Sequence, residues 1–352
     1  MHSKTIIFCQ APADVPFVLA IYEEVVSRSA VSIFVINVNG LFTFLSSLNL
    51  QLEKLVYIPY KLNNIKSIPH LLEEKRRINQ LWEEHFEILD IAEVYFFSRF
   101  EDWLTAGFIH RFSKKMETKI WYADHYDEAS LLYKRRHKFN FRKFIYKKIL
   151  KYLTGVNFST QIIEKLPEFP VSKYKIKKIR IELIPEVFNK YAYVIDDFDL
   201  KIPGILFFDS PIEKTVFNSL CYDKSLVEII QLLKDFGFRI IVKGHPRIGT
   251  SNAIKNLVDR EIPSYVPGEF IDPDQFELCL GLYTTAICHF ANNTNLPTFS
   301  LMKLFEASNP ETYKIGINYL IQQTDGKIHF CESLKDLETI AKAIRKKFDE
   351  RH

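Results

Sequence analysis

Two kinds of hydrophobic spacing alternate along the chain. Short runs rich in β-branched and aromatic residues (Thr5–Cys9, Val31–Val38, Leu55–Ile58, Glu93–Ser98 and Thr118–Tyr122) read as buried strands. Between them, Phe17–Ser27 and Leu71–Leu89 carry apolar residues at helical spacing, the latter as LLEEKRRINQLWEEHFEIL. Strand–helix alternation predicts an α/β fold, a parallel sheet with helices on both faces. The pattern lapses between Pro167 and Pro203, where prolines flank the lysine-rich KYKIKKIRIELI and the acidic IDDFD. This stretch reads as the end of one domain plus a linker. The alternation then resumes with the strand and turn GILFFDSP, a helix over Lys224–Phe236 and a strand over Phe238–Lys243. A helix over Ala253–Asp259, strands over Leu278–Leu282 and Thr298–Leu301, and a charged helix over Leu334–Phe348 complete it. The expected organisation is a first domain over 1–195, a second over 203–333 and a terminal helix over 334–352. Two such units would place a ligand cleft between them, at the carboxyl ends of the strands.

Composition narrows the class. A chain of 352 residues that is 47% hydrophobic is long and apolar enough for two cored domains and excludes wholesale disorder. The five cysteines (Cys9, Cys221, Cys279, Cys288, Cys331) are dispersed, form no CxxC pair and suit a reducing cytosol. No apolar run reaches about 18 residues, so no transmembrane helix is expected, and MHSKTIIFCQ reads as a first strand rather than a leader. Neither GxGxxG nor GxxxxGK[ST] occurs, so a dinucleotide or P-loop fold lacks its fingerprint. Charge is less even than the net of +4 implies. Nine Lys and Arg and no acid lie between Lys134 and Lys151, leaving 38 basic against 43 acidic residues, a net of −5, elsewhere.

The stretch FRIIVKGHPRIG holds the most specific chemistry. A buried strand ends in Lys243-Gly244-His245-Pro246-Arg247, in which Gly244 permits a tight turn and Pro246 stiffens the exit. His245 then stands at the strand's carboxyl end, suited either to contact a phosphate and donate a proton or simply to sit in a basic surface turn. Glu269 follows the Pro267-Gly268 turn in IPSYVPGEF. Thr284 and Thr285 follow a buried strand in FELCLGLYTTAICHF, where hydroxyls and free N–H groups at a helix start can seat a phosphate or cap the helix.

The set, in this order, resembles the bacterial sialyltransferases of GT-B architecture, which share an HP motif, a D/E-D/E-G motif and a Ser/Thr pair. KGHP at 243–246 is similar to their HP motif, and the likeness covers best the stretch from Ile205 to Leu301. It implies two Rossmann-like domains facing each other across a cleft, and transfer of sialic acid from a CMP-activated donor. It further implies that His245 contacts the donor phosphate and assists departure of CMP, that Glu269 hydrogen-bonds the cytidine, and that Thr284 and Thr285 bind the phosphate with Lys243, Gly244 and Pro246 beside them. The acidic motif is expected in IWYADHYDEASLLY, whose YDEAS resembles the family pattern, with Ala129 in place of glycine. Asp127 is the expected general base, with Asp124 and Glu128 as alternates, all three otherwise readable as a helix-capping cluster. CMP carries one phosphate, and no Asp-x-Asp stands after a strand, so no metal or other cofactor is expected.

The basic segment YKRRHKFNFRKFIYKKILKYL interleaves cations with apolar residues and predicts a helix with one apolar and one basic face. It reads as a packed domain helix with a solvated basic side, as an attachment to an anionic inner membrane leaflet, or as a seat for an anionic acceptor glycan. Nucleic acid is disfavoured as a partner by the acidic remainder of the chain. Three functions stay open: a cytoplasmic, membrane-peripheral transferase of sialic acid or a related nonulosonic acid to a bacterial surface glycan; a CDP-activated polyol-phosphate transferase of the teichoic-acid type; and a non-catalytic scaffold on a degenerate transferase fold.

Overall fold

A computed structural model of the chain describes residues 3–60, 67–87, 90–97, 103–115, 117–123, 141–158, 174–209, 217–246 and 248–351, without the side chains of 141–144, 219, 220 and 312. The chain divides into two compact units, Met1–Val187 and Phe188–His352.

The first unit runs β1 (Ser3–Cys9), α1 (Val15–Val25), β2 (Ser29–Ile36), α2 (Asn39–Ser47), β3 (Lys54–Ile58), α3 (Ile68–Phe86), β4 (Ile91–Phe96), α4 (Trp103–Phe112), β5 (Lys119–Ala123), α5 (Phe141–Thr154) and β6 (Ile176–Ile179), with α6 (Pro185–Lys190) spanning the division. Its six strands lie in the order β3-β2-β1-β4-β5-β6, all parallel. β2 stops two residues before the expected Val38 because Asn37 adopts φ +62°, a left-handed conformation that Asn tolerates better than most side chains. α3 begins three residues earlier than its apolar spacing predicts. Ser67 caps it by accepting the His70 N–H, with Pro69 in the first turn where a missing N–H costs nothing. KYKIKKIRIELI supplies β6, the edge strand, whose exposed Lys177 and Lys178 discourage further strand pairing.

The second unit runs β7 (Gly204–Phe208), α7 (Ser219–Asp235), β8 (Arg239–Lys243), β9 (Arg260–Glu261), β10 (Leu278–Gly281), α8 (Thr285–Asn293), β11 (Thr298–Ser300), α9 (Pro310–Gln323), β12 (His329–Phe330) and α10 (Leu334–Asp349). Its order, β12-β11-β10-β7-β8-β9, is the same 3-2-1-4-5-6 arrangement once the strands are counted from β7. Two consecutive α/β units of this kind are the make-up of a GT-B chain. α10 packs on α7, and Arg345 donates to the Gly237 carbonyl (3.1 Å), so the terminal helix belongs to the second unit. The helix expected over Ala253–Asp259 is a series of turns instead. The Asp259 carboxylate and N–H are engaged by Ile240 of β8 (2.7 and 2.9 Å), which pulls the segment toward the sheet.

Reversal of strand order places a crevice at the carboxyl ends of the first and fourth strands of each sheet, β1/β4 and β7/β10. In the first unit the sheet rests on an aromatic core. Phe86 of α3 lies 4.7 Å from Phe34, 5.0 Å from Phe108 and 5.4 Å from both Trp82 and Phe112, ring centre to ring centre. Phe86→Ala should therefore destabilise the protein by about 3–5 kcal/mol. Urea denaturation reads this directly, and an unchanged midpoint would remove Phe86 from the centre of that core.

Candidate functional site

The chemistry expected in the second unit collects at the carboxyl ends of β7, β8 and β10. β8 is apolar through Ile240, Ile241 and Val242 and stays buried to its last residue. Lys243 is consequently buried, and its ammonium donates to the carbonyls of Gly244 (2.9 Å) and Ser264 (3.3 Å). Burial lowers its pKa to about 8, while the negative charge of Glu269 works in the opposite direction. The cation preceding His245 is thus turned inward, so it serves the interior of the site rather than its surface.

After β8 the backbone closes into a tight loop. The His245 N–H donates to the Gly249 carbonyl (3.0 Å) and the Gly249 N–H returns to the His245 carbonyl (2.8 Å). Gly244 is needed for close approach: a Cβ there would stand 2.6 Å from the Gly249 carbonyl carbon and 2.7 Å from the Thr250 nitrogen. His245 itself is half-buried and Pro246 exposed, so the imidazole sits at the base of a braced loop.

Glu269 lies in a single 3-10 turn, Gly268–Phe270, half-buried at the start of α8. Gly268 makes that seat available, since a Cβ there would come within 2.8 Å of both Ala286 Cβ and the Phe208 ring. Thr285 donates its hydroxyl to Glu269 Oε1 (3.2 Å). Burial raises the Glu269 pKa, against the pull of its own backbone N–H, the Thr285 hydroxyl and Lys243. Thr284 caps α8 by accepting the Ala286 N–H (3.3 Å), so the cap and the expected phosphate seat are the same residue. Lys243, Glu269 and Thr285, spread over 43 positions of sequence, are thereby coupled in one cluster. Asp127, Asp124 and Glu128 lie outside the described residues, as do Tyr133 and Arg247; β5 ends at Ala123, immediately before Asp124.

One pair was not anticipated from the sequence. Asp209, directly after β7, is buried and accepts both the backbone N–H and the hydroxyl of Ser251. Its own N–H donates to the Lys243 carbonyl (3.1 Å). One buried carboxylate thus ties β7 and β8 to the far end of the His245 loop. Burial raises its pKa, opposed by the two Ser251 hydrogen bonds. GILFFDSP carries no local signal for this pairing, because Ser251 lies 42 residues further along the chain. No group of three or more His, Cys, Asp or Glu side chains with metal-holding geometry occurs among the described residues.

No family model matches the chain, and no curated protein sequence matches it. Several solved structures are similar to it along most of its length, with TM-scores below 0.5. The glycotransferase of kitacinnamycin is 10% identical with a TM-score of 0.49, covering 99% of this chain and 94% of its own. UDP-GlcNAc 2-epimerase from Neisseria meningitidis is 12% identical at 0.49, covering 99% and 91%. E. coli ADP-heptose LPS heptosyltransferase II is 10% identical at 0.46, covering 98% and 99%.

Two outcomes follow. Asp209→Ala leaves the Ser251 N–H unpaired inside the protein, so stability should fall by about 1–3 kcal/mol and amide exchange at 248–251 should quicken; Ser251→Ala, which removes one of the two bonds, should cost about 1 kcal/mol. Exchange rates at 248–251 equal to wild type in Asp209→Ala would show that the loop does not depend on the carboxylate. Lys243 has a folded pKa (about 8) below its ordinary 10.5. Between those values the unfolded chain binds more protons than the folded one, so this residue makes stability rise with pH across that window. Lys243→Met should flatten the rise in denaturation midpoints measured from pH 8 to 10, and an unaltered slope would contradict the assignment.

Proposed function

We propose that the protein is an inverting glycosyltransferase that moves sialic acid, or a related nonulosonic acid, from its CMP-activated donor to a hydroxyl of a bacterial surface glycan. The observation that carries this reading is the coupling of Glu269, Thr285 and Lys243 beside the β7/β10 crevice, with the His245 loop leaving the adjacent strand. Resemblance of the KGHP, PGE and Thr-Thr stretches to the sialyltransferase motifs gives these residues their roles.

In the proposed reaction the acceptor oxygen attacks the anomeric carbon as the bond from that carbon to the phosphate oxygen of CMP breaks. The acceptor proton passes to Asp127, with Asp124 and Glu128 as alternates, and the bond's electron pair leaves on the phosphate. His245 donates to that phosphate as its charge grows. The N–H groups opening α8, with Thr284 and Thr285, add hydrogen bonds and the favourable end of the helix dipole. Lys243, held inside the site by two of its three N–H donors on the Gly244 and Ser264 carbonyls, contributes positive potential. Glu269 accepts from the cytosine amino group, which favours a cytidine over a uridine donor. The reading assigns the reaction neither a metal nor another cofactor.

CMP release should be measured with CMP-activated nonulosonic acids and with CDP-glycerol, each offered with a panel of glycan acceptors. Turnover of a CMP-sugar is expected; absence of both turnover and binding of every CMP-sugar overturns the reading, and turnover of CDP-glycerol alone replaces it with a polyol-phosphate transferase. His245→Ala and Asp127→Ala should each lower kcat by about 10²–10⁴-fold with the fold intact. An active Asp127→Ala beside an inactive Asp124→Ala would move the base to Asp124.

A further inference from the structure

The basic segment that stands out in the sequence acquires a specific surface in the structure. α5 uses one side for packing: Leu150 and Leu153 are fully buried and Ile149 lies against the core of the first unit, where the helix meets α3 and α4. The other side keeps apolar residues in solvent. Ile145 is 44% exposed and Tyr152 46%, with exposed Lys148 between them at positions i, i+3 and i+7 of one stripe. Tyr146 (39%) and exposed Lys151 flank it.

α3 carries a second stripe at i, i+4 and i+7: Ile68 (74% exposed), Leu72 (44%) and Lys75. The two stripes meet, because Lys75 donates to the Leu153 carbonyl (2.8 Å) and its ammonium lies over the Tyr152 ring at 5.9 Å. Among the described residues of the first unit, the exposed large hydrophobic side chains are these five and Ile184. Concentrating them on two touching helices is not needed for folding, since each helix already buries its other side.

We propose that this α3–α5 face is a docking surface for an anionic lipid bilayer, with Ile68, Leu72, Ile145, Tyr146 and Tyr152 entering the headgroup region and Lys148 and Lys151 pairing with acidic headgroups. Charge selects the occupant. The α5 sequence, Phe141–Thr154, holds five cations and no acid, with Lys148 and Lys151 exposed, while the chain outside 134–151 carries a net −5, so a negatively charged plane favours α5 over the rest. Aliphatic and tyrosine side chains between lysines suit the boundary between headgroups and acyl chains, where an aromatic ring with a polar tip is at home. A nucleic-acid partner would call for phosphate contacts without exposed isoleucine and leucine beside them.

The test is co-sedimentation of the full chain with vesicles of phosphatidylcholine alone and of phosphatidylcholine mixed with phosphatidylglycerol. Partitioning should require the anionic lipid and weaken as salt is raised. Lys148→Glu with Lys151→Glu should lower it about twentyfold or more. Ile145→Ser with Tyr152→Ser should lower it while leaving the salt dependence in place. All four side chains are exposed, so the circular dichroism and melting of these variants should match wild type. Equal partitioning to neutral vesicles overturns the proposal, as does wild-type binding by both double variants. Binding of a duplex oligonucleotide without binding of vesicles also overturns it. None of these readouts depends on transferase activity.

Discussion

The geometry at the carboxyl ends of β7 and β10 depends on how closely backbone can approach the Phe208 ring at the end of β7. With no side chain at Gly268, the 3-10 turn settles against Phe208 and the first turn of α8 at a distance that any Cβ would forbid. Glu269 is carried on that turn, and its carboxylate reaches Thr285 only because the turn lies so near the helix. A larger residue at 268 would push the carboxylate away from the helix, leaving Lys243 buried without its balancing charge. Burying an ammonium alone is far more costly than burying one with a nearby carboxylate. Burial pushes both groups toward their neutral forms, Lys243 down and Glu269 up, against the pull of the opposite charge.

Asp209 acts on the same region by a different physical route. Both of its oxygens are committed to Ser251, and its N–H to β8, so it binds three segments through hydrogen bonds rather than through an opposite charge. The loop bearing His245 is consequently braced at both ends, by the His245–Gly249 pair at its base and by Ser251 beyond. Thr250 adds a bond to Glu261 (2.9 Å) at the start of the return toward the sheet.

The alternation of strand and helix was legible because buried parallel strands read as continuous β-branched and aromatic runs, and five of the first unit's strands appear close to the places those runs predict. The weakest elements were not legible. β9 and β12 have two residues each, too few for any periodic signal, and α9 mixes polar and apolar residues, PETYKIGINYLIQQ, without a clean stripe. Ala253–Asp259 misled in the other direction, since its apolar spacing fits a helix while Asp259 is claimed by β8. Within the site, His245, Glu269 and the threonine pair could be found because their neighbours, Gly-His-Pro, Pro-Gly-Glu and a strand–helix junction, are local signals. Asp209 could not be found in the same way. An acid after a strand looks the same whether its carboxylate faces water or Ser251, and the distinction rests on a partner 42 residues away. The inward turn of Lys243 was hidden for the same reason, its partner at Ser264 belonging to another segment.

Duplication of one strand order in both units gives the chain two equivalent crevices, and the residues around them differ in kind. At β7/β10 the crevice is edged by an acid–base cluster: Asp209, Lys243 and Glu269, all with perturbed pKa values. At the end of β1 the backbone N–H groups of Gln10 and Ala11 instead converge on the buried carboxylate of Asp14 (2.7 and 2.8 Å), which satisfies the loop and leaves no comparable group of coupled charges there among the described residues.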